Sequence, residues 1–202
     1  MEKIGKVLDS PEKFREIGLE EAKDFLDFQK SFARGMGLGV FLCILSPSLL
    51  IGAEGERALS GILSAAGMVF LLLCVAAAVG LFIYYGMKTK EFSYLNEEPF
   101  RLEEFAGDYI EKLAEDNEGA FRVQIMSGVV FCMISMLPAV VFDELGLSLP
   151  LVENLLMVVL FFLVGIGVFC FVYGGIFKSG FDVLLQRGEY KIKKKLKRMN
   201  KK

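Results

Sequence analysis

Apolar and polar positions segregate along this chain into long alternate runs. Four uncharged apolar blocks, 35–53, 59–87, 123–142 and 154–177, are set in a sequence otherwise dense in Glu, Asp, Lys and Arg. A helix rises 1.5 Å per residue, so about 20 residues are needed to cross a hydrocarbon layer about 30 Å thick. All four blocks reach about that length. A helix of a soluble bundle keeps a polar stripe for water, and no block contains one. The pattern predicts an all-α membrane protein with four transmembrane helices, arranged as two helical hairpins, together with amphipathic cytoplasmic helices. The expected divisions are an amphipathic arm at 1–34, a first hairpin at 35–87, an acidic amphipathic loop at 88–122, a second hairpin at 123–177 and a basic tail at 178–202. A charged, amphipathic arm ahead of the first block does not read as a cleavable signal, which starts with a short basic region.

Charge sets the orientation. Of the 23 Lys and Arg residues, seven lie in the arm, five in the middle loop and ten in the tail. The two remaining connections hold only Arg57. By the positive-inside tendency the arm, loop and tail, and with them both termini, are expected on the cytoplasmic side.

The blocks are also related to one another. Sliding 32–95 onto 121–184, a shift of 89 residues without a gap, gives fifteen identities, among them Gly39/Gly128, Cys43/Cys132, Ser46/Ser135, Phe82/Phe171 and Tyr84/Tyr173. The phrase "GVFLCILSP" at 39–47 returns as "GVVFCMISMLP" at 128–138. A duplicated two-helix unit follows, and because each unit has an even number of spans, the copies are expected to be parallel. Pro47 and Pro138 each free a backbone carbonyl one turn back, which a neighbouring serine, Ser46 or Ser135, is placed to satisfy. The small-residue pairs Gly35/Gly39, Gly61/Ala65 and Ala76/Gly80 permit close helix approach.

Outside the blocks, Ser10-Pro11-Glu12 reads as a helix start, followed by an apolar helical face through Phe14, Ile17, Ala22, Phe25, Leu26 and Phe32, interrupted at Gly18. In the middle loop, Leu102, Phe105, Ala106, Tyr109, Ile110 and Leu113 share helical spacing opposite a row of acids. Both segments are expected along the membrane or against the inner end of the bundle. The tail "KIKKKLKRMNKK" has eight basic residues, Lys191, Lys193, Lys194, Lys195, Lys197, Arg198, Lys201 and Lys202, and no acid. Ile192, Leu196 and Met199 recur at helical spacing among them. A basic helix with one apolar stripe suits an anionic lipid surface, and these eight residues are the expected lipid-surface contacts.

Candidate chemistry is sparse. The chain has no His and no Trp, and its four cysteines all lie inside apolar blocks, where a thiol behaves as a small hydrophobe. They lack the companions and spacing of a zinc site, so no metal and no cofactor is expected. "GMGLG" at 35–39 opens an apolar helix and follows no strand, which removes the phosphate-binding reading. No ionisable Asp, Glu, Lys or Arg falls within a block, which argues against a proton-coupled transporter, although Ser46, Ser135, Tyr84, Tyr85 and Tyr173 offer polar groups. No nucleophile and base pair is present for an enzyme within the membrane.

The phrase "GVFLCILSP", the exit "GLFIYYGM" followed by "FSYLNEEPF", and the closing "FDVLLQRGEY" resemble the four-helix membrane module found behind phage-repressor-like helix-turn-helix domains in Gram-positive bacterial regulators. The resemblance covers residues 30–190. It implies a bacterial cytoplasmic-membrane module of unassigned biochemical activity. Only 34 residues precede the first block, too few for a helix-turn-helix domain, so neither DNA binding nor a nucleic-acid partner is carried over. The expectation is a non-enzymatic sensory, regulatory or scaffolding membrane protein, whose partners are the bilayer, its anionic lipids, and a second copy or another membrane or cytoplasmic protein. The alternatives are a small transporter or channel subunit and an immunity-type membrane protein.

Overall fold

The computed structural model describes residues 15–48, 50, 60–97, 100–144 and 150–190. Gly18, in an extended conformation, releases the chain from a three-residue strand, β1 (Arg15–Ile17), into a helix, α1 (Leu19–Leu45). Ala22 donates its N–H to the Gly18 carbonyl, and Glu20 and Glu21 in the first turn complement the positive end of the helix dipole. α2 (Ser60–Lys88) follows, then a 3-10 turn at Thr89–Phe92 and a short helix, α3 (Ser93–Glu97). A second strand, β2 (Phe100–Leu102), leads into α4 (Glu104–Ile134), α5 (Leu137–Glu144) and α6 (Pro150–Leu184), and a 3-10 turn at Gly188–Tyr190 ends the described chain.

The four long helices form a row. α1 packs most extensively on α6, α6 also holds α4, and α1 also holds α2. The order across the row is α2, α1, α6, α4. Glycines let these helices approach closely. Tyr85 of α2 lies over Gly35 of α1, and a Cβ at Gly39 would stand 2.5 Å from the Phe82 ring. In the other half a Cβ at Gly128 would meet the Gly167 carbonyl oxygen at 2.8 Å and the Phe171 ring at 3.2 Å. The Gly35/Gly39 pair is therefore a packing face as its spacing predicts. Gly61 has nothing within 4 Å of a Cβ position, and neither has Gly80, so the other two small-residue pairs make no such approach within the chain.

The helical class is as expected, and two of the long helices, α2 and α6, are long and apolar enough to cross a membrane. Only 17% and 11% of the residues in their most apolar stretches are buried, unlike the core helices of a soluble protein. Among the described residues the other two expected crossings do not emerge as such helices. α1 ends at Leu45 and α4 at Ile134, so their apolar ends span about 16 and about 18 Å at 1.5 Å per residue. The cause is the repeated phrase. Pro47 has no N–H for the carbonyl of Cys43, and the hydroxyl of Ser46 donates to that oxygen at 2.9 Å instead. Near Pro138 the ladder tightens one residue earlier: Met136 donates to Met133, leaving the Cys132 carbonyl to the Ser135 hydroxyl at 2.7 Å. Both serines are buried; Ser46 serves the carbonyl that Pro47 leaves, as expected, whereas Ser135 serves that of Cys132 and not that of Ile134, one turn before Pro138.

The amphipathic segments differ from expectation where they meet as strands, and Leu102, expected on the helical face of the middle loop, lies in β2. Arg15–Ile17 is a strand, not the continuation of a helical face, because it pairs in parallel with Phe100–Leu102, Ile17 opposite Leu102. The expected helix start at Ser10 lies outside the described residues. α1 and α4 then run unbroken across positions 34/35 and 122/123, where polar arm and apolar block were expected to divide.

Candidate functional site

The best-buried part of the molecule is a cap at its polar end, assembled from segments far apart in sequence. Ile17 of β1, Phe25 and Leu26 of α1, Leu95 of α3, Phe100 of β2, Ile110 of α4 and Leu184 of α6 share one apolar core. Of the middle-loop residues expected on one helical face, Ala106 and Ile110 are buried, whereas Phe105 and Tyr109 are exposed. Aromatic rings tie this core to the long helices. Phe28 stacks on Phe92 at 4.9 Å, and Phe121 meets Phe177 edge-on at 5.5 Å.

Three polar joints hold the cap's surface. In the first, Glu21 of α1 accepts hydrogen bonds at the same oxygen from the Tyr94 hydroxyl at 2.5 Å and from Arg15 at 2.8 Å, while the Arg15 guanidinium lies 4.3 Å from the centre of the Tyr94 ring. One carboxylate thus binds strand, helix and the segment after α2. Lys88, Lys90 and Glu91 separate Tyr94 from the apolar stretch. Burial pushes its phenol up to about 12, and the hydrogen bond to Glu21 adds to that, so the hydroxyl is a donor at neutral pH. In the second joint, Gln186 donates from Nε2 to the Phe100 carbonyl at 2.6 Å. Gln186 has φ 51°, and its neighbours make the paired bonds of a Schellman ending: Gln186 N–H to Val183 and Arg187 N–H to Asp182. The third joint is an exposed ion pair, Arg187 to Glu111 at 2.8 Å, whose energetic contribution is small.

Among the described residues there is no cluster of three or more His, Cys, Asp or Glu able to hold a metal ion. Cys43, Cys74, Cys132 and Cys170 are free thiols. Of the polar groups within the apolar blocks, Ser46 and Ser135 are occupied by backbone carbonyls, Tyr85 covers Gly35, Tyr173 stacks at 6.1 Å on Phe169, and Tyr84 is exposed.

Lys191, Lys193, Lys194, Lys195, Lys197, Arg198, Lys201 and Lys202 lie outside the described residues. The described chain ends beside the cap, where the hydroxyls of Tyr190 and Ser179 are 3.2 Å apart. Sequence reasoning missed Arg15, Glu21, Tyr94 and Gln186, whose partners lie up to 86 residues away. A usable signal was the near-copy of "FREIGLEE" at 14–21 in "FRLEE" at 100–104. It stands out of frame with the 89-residue shift. No family model, no curated protein and no solved structure matches this chain.

Proposed function

We propose that this chain is a non-enzymatic, multi-pass membrane module of regulatory or scaffolding type, in which the cap is the cytoplasmic face that a partner reads. Four crossings complete the reading: α2 and α6 as whole spans, α1 and α4 as spans broken at Ser46 and Ser135 and continued by the apolar residues that follow. The two hairpins are duplicates. Support for this comes from contacts at equivalent places, Phe82 on Gly39 and Phe171 on Gly128, and the two serine hydroxyls on cysteine carbonyls 89 residues apart.

One observation carries the functional reading: α1 and α4 each extend without a break from the cap into the apolar layer, and β1 and β2 clamp their starts together. A rigid helix moves as a unit, so a tilt in the membrane is delivered to the cap. The exposed ring of Phe105, on the first turn of α4, offers the cap an apolar contact for a partner. A photo-crosslinking residue at Phe105 in native membranes is expected to trap one defined cytoplasmic protein, and Arg15→Ala is expected to weaken that product. A trace without product, together with solute flux through reconstituted vesicles, would replace this reading by the transporter alternative. Orientation is checked in a cysteine-free background: single cysteines replacing Gly55 and Leu147 are expected to react with an impermeant reagent from outside intact cells, and one replacing Asn117 is not.

A further inference from the structure

The two ends of the row, the outer faces of α2 and α4, stay open, and the contact at the row's centre describes what would fit them. There α1 of the first half meets α6 of the second. A Cβ at Gly37 would be 2.9 Å from the ring of Phe169, and one at Gly165 would be 2.8 Å from the ring of Phe41, which in turn lies 5.7 Å from Phe162. Each hole faces a ring.

Moving every partner by 89 residues carries the α1 face onto α4 and the α6 face onto α2. Gly37 becomes Met126 and Phe41 becomes Val130. Phe169 becomes Gly80, Gly165 becomes Ala76 and Phe162 becomes Leu73. The large member of the first pair changes sides, yet a large residue still faces a small one: Met126 opposite Gly80, and Val130 opposite Ala76 and Leu73. All five are exposed, and nothing lies within 4 Å of a Cβ at Gly80. Within the chain α2 and α4 touch at most marginally, so this counterpart of the central contact is unmade. At the polar end the match stops. Gln29, 3.0 Å from a Cβ at Gly180, has Glu118 as its counterpart and Gly180 has Glu91, two carboxylates. The complementarity belongs to the apolar stretch.

We propose that a second copy of this chain seats its α4 on α2, Met126 and Val130 over Gly80 and Ala76, so that the contact joining the two halves of one chain is repeated between chains. The inference rests on the reading of the hairpins as duplicated and membrane-embedded. In that setting close packing against small residues, not burial from water, drives helix association. The contact joins unlike helices, α4 of one copy to α2 of the other, and two copies related by a two-fold axis close it by making it twice.

The test uses full-length chains in their membrane, with Cys43, Cys74, Cys132 and Cys170 replaced by Ala. One tagged chain carries Val130→Cys and a second, differently tagged chain carries Ala76→Cys. Oxidation is expected to give a product bearing both tags, at least ten-fold above that obtained with Ala77→Cys, which sits one residue on and about 100° around the helix. Adding Gly80→Leu to the Ala76→Cys chain is expected to lower the product at least ten-fold. Two results would overturn the proposal: a disulfide that forms only when both cysteines are in one chain, which means closure within the chain, or a membrane-resident pair giving no product above the Ala77→Cys control. Recovery of the chain in the soluble fraction would overturn the membrane reading itself and this contact with it.

Discussion

Phe171 stands against Gly128 as Phe82 stands against Gly39, but the two glycines have different room to change. At Gly39 the atoms nearest a new Cβ belong only to the Phe82 ring, whereas at Gly128 the nearest is the Gly167 carbonyl oxygen, 2.8 Å away on the backbone of α6. A ring can turn; a helix backbone cannot without moving the helix. Gly128→Ala is therefore expected to destabilise by about 1–3 kcal/mol, the usual range for overpacking, and Gly39→Ala by less. Gly86→Ala, where nothing lies within 4 Å, is expected to be neutral or slightly stabilising through helix propensity. Thermal unfolding in detergent ranks the three. Equal losses at Gly39 and Gly128 would show that the α4–α6 crossing is looser than described.

The Tyr94 joint gives a pH-dependent prediction. The phenol's folded value, about 12, lies above the ordinary value of about 10, so the fold favours the neutral hydroxyl. Its contribution is fully present below about pH 10 and is lost as pH rises through about 12. Tyr94→Phe keeps the ring beneath Arg15 and removes only the donor to Glu21. It is expected to cost about 1 kcal/mol at pH 8, with the difference from the parent protein closing as pH rises to 12. A gap that stays constant over that interval would mean the hydroxyl does not donate to Glu21.

Gln186 separates backbone strain from side-chain bonding. Its φ of 51° costs about 1 kcal/mol for any residue with a Cβ, and its Nε2 bond to Phe100 contributes a similar amount in the opposite sense. Gln186→Ala loses the bond and keeps the strain, so a loss of about 1 kcal/mol is expected. Gln186→Gly loses both and should return close to the parent. If Ala and Gly variants unfold together, the left-handed ending of α6 is not what the Gly substitution relieves.

The long-range outline of this fold was legible because it is written in periodicities. Apolar run length located α2 and α6, the small-residue spacing placed Gly35 and Gly39 against a neighbour, and Pro47 beside Ser46 announced the hydroxyl bond to Cys43. What escaped were features made by tertiary pairing. Three residues of strand have no period of their own, and Ile17 satisfies a helical spacing as well as a strand does until Leu102 arrives beside it. The same holds for Glu21 and Tyr94, each unremarkable in its own segment. Run length also overstated α1 and α4, since each apolar block continues past Leu45 or Ile134 while its helix ends there.

The tail remains the strongest charge feature of the chain, and its expected surface role is separable from docking on the protein. Lys191, Lys193, Lys194, Lys195, Lys197, Arg198, Lys201 and Lys202 each contribute about 1 kcal/mol when held at an anionic leaflet, so several together outweigh screening at physiological salt. A rival site exists in the middle loop, where 88–122 holds ten acids against five bases. Lipid charge decides between them: anchoring requires anionic lipid, while docking on the acidic loop survives in a neutral bilayer. A peptide of residues 188–202 is expected to bind vesicles containing phosphatidylserine, to weaken as salt rises, and to gain helicity as Ile192, Leu196 and Met199 meet the interface. Equally poor binding to neutral and anionic vesicles at low salt would leave the eight charges solvated and end the anchor reading.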